Sequence, residues 1–301
     1  MSEVSNEVKM SMRIKFTVPQ KYDGKLVKEF LRRECMVSST LYTQLKKTEN
    51  GVTNNGVHTR ATDKVKFNDI IEITLPQDKN EITPVNMPIK ILYEDEHLIA
   101  IDKSAHMTMH PVHGHLNDTL ANALAYYADQ KGEEWTFRAV NRLDRDTSGV
   151  VLIAKNMYSA PILSATVRKK YIAVCEGIIE SGGTIDSPIR IKDGHTIQRE
   201  TGADGVNAIT HYNPIRHGGG HTLTEFELET GRTHQIRVHM ASIGHPLAGD
   251  DMYGGSLDMI ARQALHCTRV VFLHPGKRGY MTIDSPIPKE FYDIIQGAKL
   301  A

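Results

Sequence analysis

Two short segments concentrate the side chains that could do chemistry. The first, Asn141-Arg142-Leu143-Asp144-Arg145-Asp146-Thr147-Ser148-Gly149, sets carboxylates, guanidiniums and hydroxyls directly before an apolar strand. A loop at the end of a sheet is where a scaffold can hold reactive groups. Taken alone, the segment reads as a catalytic loop or as a salt-bridged turn, because Arg-Asp alternation is common on surfaces and stabilises little. The second, Glu229 to His239 (ETGRTHQIRVH), follows a strand, turns at Gly231 and opens a helix bearing arginines and histidines. A helix start favours anions, and an arginine there can hold a buried carboxylate ionised.

Other chemistries lack their entry signals. The chain has no GxxxxGK[ST], no GxGxxG and no GxSxG, so phosphate-loop enzymes, dinucleotide oxidoreductases and nucleophile-elbow hydrolases are not indicated, and no cofactor is expected. His110, His113 and His115 in MHPVHGH invite a metal, but there is no HExxH and their spacing fits no common helical ligand pair. Hydrogen-bonding roles and no metal are expected of them. Cys35, Cys175 and Cys267 are odd in number and far apart, which removes a disulfide scaffold and indicates a reducing compartment. Asp144 and Asp146 could form a carboxylate pair for glycoside cleavage. Alternate positions on a strand-like segment would point them oppositely, against a shared site.

The elements that must position these residues fall into two groups. PQDKNEITPVNMP, 76–88, combines prolines with polar residues and reads as a linker. It separates a small domain at 13–75 from a larger one at 89–296. Upstream, helices are expected at Leu26 to Glu34 and Thr40 to Lys47, the latter capped by Ser38 or Ser39, then a hairpin turn at Asn55-Gly56 and a strand in Phe67 to Leu75. Downstream, IKILYEDEHLIAIDK reads as two strands around an acidic turn. Further strands are expected at Gly149 to Lys155, Lys170 to Gly177 and Thr222 to Glu229, with helices at Thr119 to Asp129 and Thr233 to Ile243, the last stopped by Gly244. The 301 residues carry 36 Lys+Arg against 36 Asp+Glu, so a polyanion would be met by local patches, not bulk charge. Residues 13–75 hold 12 Lys+Arg against 7 Asp+Glu, a local net of +5.

With these segments together, the chain resembles the RluA-type pseudouridine synthases. NRLDRDTSGVVLIAKN is similar to their HRLDRxTSG signature with its following strand, VRKKYIAVCEG to their K-x-Y-x-A-x-x-x-G strand, ETGRTHQIRVHMASIGHPLAGDDMYGG to their third motif, and ILYEDEHLIAIDKSAHMTMHP to their opening strand pair. The four occur in the family's order across most of 89–296. The basic module resembles the small αL RNA-binding domain of ribosomal small-subunit-protein type that precedes this catalytic domain, through its helix pair, GVTNNG and FNDIIEI.

The resemblance implies an α+β fold with a mixed, largely antiparallel bent sheet, the cleft across its middle, helices outside and the small domain on a flexible tether. It implies an isomerase that breaks the glycosidic bond of a uridine in RNA, turns the base and rejoins it through a ring carbon, without a cofactor. Asp144 matches the family's essential aspartate, Arg237 the arginine that pairs with it, and Tyr171 the tyrosine that stacks on the base and helps move its proton. Arg142 matches the arginine that fills the gap left by the flipped uridine, and Ile236 would line the pocket. Arg232, His234 and His239 are taken as scaffolding or phosphate contacts. Three positions depart from the pattern: Asn141 stands for the usual histidine, and Ser104 and His106 for the proline and glycine of DKPxG. The expected partner is RNA, ribosomal large-subunit RNA first and transfer RNA second. The chain is expected to act as a monomer in the cytoplasm. Its first residues carry Glu3 and Glu7 without an apolar block, and no apolar run reaches the ~20 residues that span a bilayer.

Overall fold

The computed structural model describes residues 12–76 and 80–297; Glu3, Glu7 and positions 77–79 of the expected linker lie outside the described residues. The amino-terminal unit runs β1 (Arg13–Thr17), α1 (Val27–Glu29), α2 (Ser39–Leu45), β2 (Val52–Asn54), β3 (Val57–His58) and β4 (Ile70–Thr74), with the strands ordered β1-β4-β2-β3. The expected helix over 26–34 forms as α1 passing into a wider π turn at Phe30–Glu34. Of the two candidate caps for α2, Ser38 serves, its Oγ accepting from the Leu41 amide at 3.1 Å. Asn55 and Gly56 both take positive φ, 48° and 83°, as the two-residue turn between β2 and β3 requires.

The larger unit continues with β5 (Lys90–Glu94), β6 (Leu98–Lys103), α3 (Leu120–Gln130), β7 (Arg138–Ala139), β8 (Ser148–Ala154), α4 (Ser159–Thr166), β9 (Arg168–Glu176) and β10 (Gly183–Asp186). A small ribbon, β11 (Ile189–Ile191) and β12 (Arg199–Thr201), precedes the long hairpin β13 (Ile209–Gly218) and β14 (His221–Leu228). Then come α5 (Gln235–Ser242), β15 (Leu265–Leu273), β16 (Tyr280–Asp284) and α6 (Lys289–Ile295). A ten-stranded sheet has the order β10-β13-β14-β9-β15-β8-β6-β5, with β16 on β15 and β7 on β8. Its pairs are antiparallel except for β15 with β8, so the expected mixed, largely antiparallel α+β architecture is borne out.

The centre of the sheet is covered on both faces, and β9 displays this through period-two alternation. Tyr171, Ala173 and Cys175 join a core with Leu120 and Leu124 of α3 and Ile236 and Met240 of α5. Ile172 and Val174 face the opposite way, onto Phe291, Ile294 and Ile295 of α6. Thr119, read from sequence as part of the α3 helix, is its cap: its Oγ1 accepts from the Asn122 amide.

The amino-terminal unit packs directly against the larger one, so the flexible tether implied by the resemblance is corrected. Tyr158 and Ile162, around α4, complete its apolar core beside Phe16, Phe30 and Leu31. The Tyr158 hydroxyl donates to Cys35 O at 3.0 Å. Fully burying each side chain contributes about 1.5–3 kcal/mol, enough to hold two units together where a polar linker alone would not.

Candidate active site

The segment 141–149 is a turn, not an extended strand: the Thr147 amide donates to Asp144 O at 3.1 Å, and β8 begins only at Ser148. Neighbours on both sides fix it. Asn141, which replaces the family's histidine, is buried and acts as a β-ladder mimic: its Nδ2 donates to Val150 O at 3.0 Å and its Oδ1 accepts from the Leu152 amide at 2.8 Å. Gly149 has φ +112°, and a Cβ there would stand 2.2 Å from Cys267 O. Only glycine permits β15 to lie in parallel pairing so close to the turn. Downstream, the Ser148 hydroxyl is 2.8 Å from His266 Nδ1, whose Nε2 reaches Ser285 at 3.1 Å; Ser285 donates to Asp102 at 2.8 Å. With Ser285 donating onward, His266 Nε2 carries the hydrogen and Nδ1 accepts from Ser148. Burial pushes this imidazole down to about 4, with Asp102 opposing, so it stays neutral.

The second segment approaches from across the sheet. Gln235 ties the Gly231 turn to β13, accepting from Thr230 and from the Arg232 amide, both at 2.9 Å, and donating to Ile209 O at 2.9 Å. His234 precedes α5 in the left-handed conformation, φ 56°, a cost of order 1–3 kcal/mol that tends to accompany functional geometry. It brings His234 Nε2 to 3.9 Å from Asp144 Oδ2 and Nδ1 to 2.9 Å from the Tyr253 hydroxyl. One turn on, buried Arg237 donates from Nη1 to Asp144 Oδ2 at 3.2 Å. Asp250 holds it more closely, Nε and Nη2 gripping that carboxylate at 2.6 and 2.8 Å, and the guanidinium lies 4.9 Å from the centre of the Tyr253 ring. The Arg237–Asp144 pairing is present, but the arginine is anchored by Asp250. Burial works against its charge, and the Asp250 and Asp144 carboxylates outweigh that and raise it.

Asp144, Tyr171, Arg237, Arg142 and Ile236 line one cavity of about 60 Å³, with His234, Arg232 and Thr147 among its other walls. The lining is buried apart from Arg142 and Arg232 at the rim and the partly open Asp144, Leu228 and His234. Tyr171 lies opposite Cys267 across β9 and β15. Burial, then Cys267 and then Asp144, raises its hydroxyl well above the ordinary range, so it is a neutral phenol. Asp146 departs in another direction, its Oδ1 2.8 Å from His106 Nδ1. The carboxylate-pair alternative therefore fails through separate partners within a turn, not through strand alternation. His106, which stands for the family's glycine, adopts φ 62°, the conformation that glycine supplies without strain. His239 is wholly buried and scaffolding: Nε2 donates to Ser187 O and Nδ1 meets Thr210, both at 2.9 Å. Two of the loop histidines have separate partners, His110 edge-on to Phe137 and His115 to Asp118.

Residues 97–242 match the family model for RNA pseudouridylate synthase. The chain is 36% identical over 279 residues to the uncharacterized RNA pseudouridine synthase YjbO of Bacillus subtilis, covering 90% of this chain and 98% of that protein. The chain belongs to the RNA pseudouridine synthase family. It is of the RluA type, an isomerase. The pseudouridine synthase fold recurs in human RNA Pseudouridylate Synthase Domain Containing 1, at TM-score 0.55 and 26% identity, over 66% of this chain and 83% of that one. Ribosomal large subunit pseudouridine synthase D of Pseudomonas aeruginosa is 39% identical over 228 residues, 68% of this synthase and 70% of that one. The namesake of Xylella fastidiosa is 35% identical over 261 residues, 80% and 79%.

The wall residue His234, and Asp250 that anchors Arg237 from behind, were not singled out for the site of this synthase from sequence. Asp250 lies in GDDMYGG, where adjacent carboxylates give no sign of which one turns inward. His234 looked like scaffolding because its left-handed backbone cannot be read from residue type.

Proposed function

We propose that this synthase isomerises uridines of large-subunit ribosomal RNA, with Asp144 as nucleophile. The observation that carries the reading is the asymmetry at Asp144. Arg237 Nη1 and His234 Nε2 both address Oδ2, which leaves Oδ1 for the anomeric carbon. As Oδ1 bonds to C1′, the N1–C1′ bond breaks and its electron pair leaves with the base. The base turns, C5 takes C1′ from the carboxylate, the C5 proton departs and N1 is protonated, so the product is an isomer of the substrate. Arg237 sets a fixed guanidinium against the reacting carboxylate in a partly dry cavity. Tyr171, a neutral phenol, supplies a face for the turning base and a hydroxyl to relay its proton, not a phenolate base. Ile236 packs the base from the α5 side. Arg142, exposed at the rim, fills the gap in the RNA stack and offsets a few kcal/mol of unstacking.

The ribosomal target is supported by the names of several relatives, which are ribosomal large subunit pseudouridine synthases. The amino-terminal unit, net +5 over 13–75, supplies RNA grip in the manner of an αL-type domain. Among the described residues no helix is long and apolar enough to cross a membrane, and a cytoplasmic monomer acting on ribosomal RNA is the reading we adopt. Pseudouridine mapping across all RNA of cells with and without the gene tests it. Sites lost in large-subunit RNA are the expected result; losses confined to transfer RNA overturn the target, and no losses overturn the activity.

A further inference from the structure

One turn supplies an anchor for each partner of Asp144. The chain forms a 3-10 turn at Asp251–Tyr253, the Tyr253 amide donating to Asp250 O at 3.1 Å. Gly255 closes it where a Cβ would stand 2.0 Å from Leu247 O, so the chain doubles back this tightly only on glycine. Asp250, at the start of the turn, takes Arg237. Tyr253, at its end, lies against the same guanidinium and meets the His234 imidazole edge-on, the two ring centres 5.7 Å apart. The β11–β12 ribbon holds the turn in place. Gln198 Nε2 donates to Met252 O at 2.8 Å, and the Arg199 amide donates to the Tyr253 hydroxyl at 3.0 Å.

The Tyr253 hydroxyl has one hydrogen, and its neighbours decide where that hydrogen goes. The Arg199 amide already uses the oxygen as an acceptor, and the other contact is His234 Nδ1 at 2.9 Å. Among the described residues no third group takes the hydrogen. Tyr253 therefore donates to Nδ1, and the imidazole carries its own hydrogen on Nε2. The far side of the ring agrees. Nε2 faces Asp144 Oδ2 at 3.9 Å, where a bare lone pair would oppose the carboxylate and an N–H is attracted to it. The gap is longer than a hydrogen bond, and such contacts tighten when substrate closes the cavity. Burial lowers the imidazole, with Asp144 and Asp250 opposing and Arg237 and Arg199 reinforcing. Burial raises the Tyr253 phenol against the pull of the Arg199 amide and Arg237. At neutral pH the imidazole thus has a single N–H, and Tyr253 selects the nitrogen that bears it.

We propose that the Tyr253 hydroxyl is a positioning group for the isomerisation: it holds His234 as the Nε2–H tautomer against Oδ2 of Asp144, so that Oδ1 is the oxygen left for the sugar. The proposal rests on Asp144 being the reacting carboxylate. The left-handed backbone at His234, φ 56°, serves the same end, because it lets one ring meet the tyrosine with Nδ1 and the carboxylate with Nε2.

The test uses full-length wild type, Tyr253→Phe, His234→Asn and the double variant, at a temperature where all are folded. Phenylalanine keeps the ring against Arg237 and removes only the hydroxyl. Asparagine tolerates the left-handed backbone and is too short to bridge Tyr253 and Asp144. In ¹⁵N-labelled wild type, the imidazole resonances that vanish in His234→Asn should report the Nε2–H tautomer. Tyr253→Phe should lower the single-turnover rate on ribosomal RNA from cells lacking the gene by roughly fivefold to fiftyfold, with RNA affinity within about twofold of wild type. Two lost hydrogen bonds should also lower its melting temperature by roughly 2–12 °C. The double variant separates positioning from plain structure: if the hydroxyl acts through His234, it should be no more than about twofold slower than His234→Asn. Losses that multiply overturn the proposal, as does an Nδ1–H tautomer in wild type, or a rate within about twofold of wild type for either single variant. If Tyr253→Phe does not fold, the wild-type tautomer decides, Nε2–H sustaining the proposal and Nδ1–H overturning it. Turnover by Asp144→Asn, run beside the others, would refute the reading of the site itself. Inactive Asp144→Asn beside a fully active Tyr253→Phe would remove only the role of the hydroxyl.

Discussion

Arg237→Met separates the two jobs of the arginine. Methionine fills most of the vacated volume, so the cost comes from charges, not from a cavity. Asp250, 1% exposed, loses donors at 2.6 and 2.8 Å, whereas Asp144, with 28% of its side chain exposed, can turn to water. Breaking a buried pair by removing one partner costs about 3–5 kcal/mol, and the lost stacking on Tyr253 adds about 0.5–1 kcal/mol. At about 2–4 °C per kcal/mol for a unit of this size, melting temperature should fall by roughly 7–24 °C. Trp135, the single tryptophan and 5% exposed, provides a fluorescence probe of that transition. Adding Asp250→Leu removes the orphaned carboxylate, and stability should return to within about 1–2 kcal/mol of wild type, as when both members of a buried pair become apolar. Pseudouridine formation should stay absent in both variants, because Asp144 still lacks its cation. An unchanged melting temperature in Arg237→Met would refute the dependence of Asp250 on Arg237. Restored turnover in the double variant would mean that the arginine acts only through Asp250.

Other expectations follow from single contacts. Gly149→Ala should destabilise by more than about 3 kcal/mol, backbone strain adding to a clash with Cys267 in a closed core; a wild-type melting curve would contradict the geometry. His266, lowered to about 4, remains neutral when folded while its unfolded counterpart gains a proton below about 6.5. Stability should therefore decline as pH falls from about 6.5 to about 4, by up to about 3 kcal/mol. Melts of His266→Gln should lack that part of the slope, and an identical slope would assign it elsewhere. Deleting residues 1–78 should weaken RNA binding and reduce its salt slope by about one per lost phosphate contact. It should also destabilise the remainder by about 3–6 kcal/mol through re-exposed Tyr158 and Ile162; equal affinity, salt slope and melting temperature would show that the unit neither grips RNA nor braces the fold.

The residues gathered at the cavity were legible because each sits in a contiguous motif: Asp144 and Arg142 in NRLDRDTSG, Tyr171 in KKYIA, Ile236 and Arg237 in HQIRVH. The elements around them carried local signals as well, such as Ser38 at a helix start, Asn55-Gly56 between strands and Gly244 at a helix end. What stayed hidden depends on partners distant in the chain. Gly149 is required by Cys267, and Asn141 can replace a histidine because its amide bridges Val150 and Leu152. Tyr158, in an unremarkable NMYSA, becomes the bridge to the amino-terminal unit only once Cys35 lies beside it. Asp146 was misread as strand-like because a β-turn inside an apolar-flanked segment has no periodicity to betray it.

The most direct test incubates large-subunit ribosomal RNA from cells lacking the gene with wild-type or Asp144→Asn protein and reads pseudouridine at each uridine. The amide keeps the shape of the carboxylate but not its negative charge. Wild type should restore pseudouridine at discrete positions, while Asp144→Asn should bind the RNA with similar affinity, melt at a similar temperature and form none. Pseudouridine at the same positions with Asp144→Asn would contradict the assignment of the nucleophile.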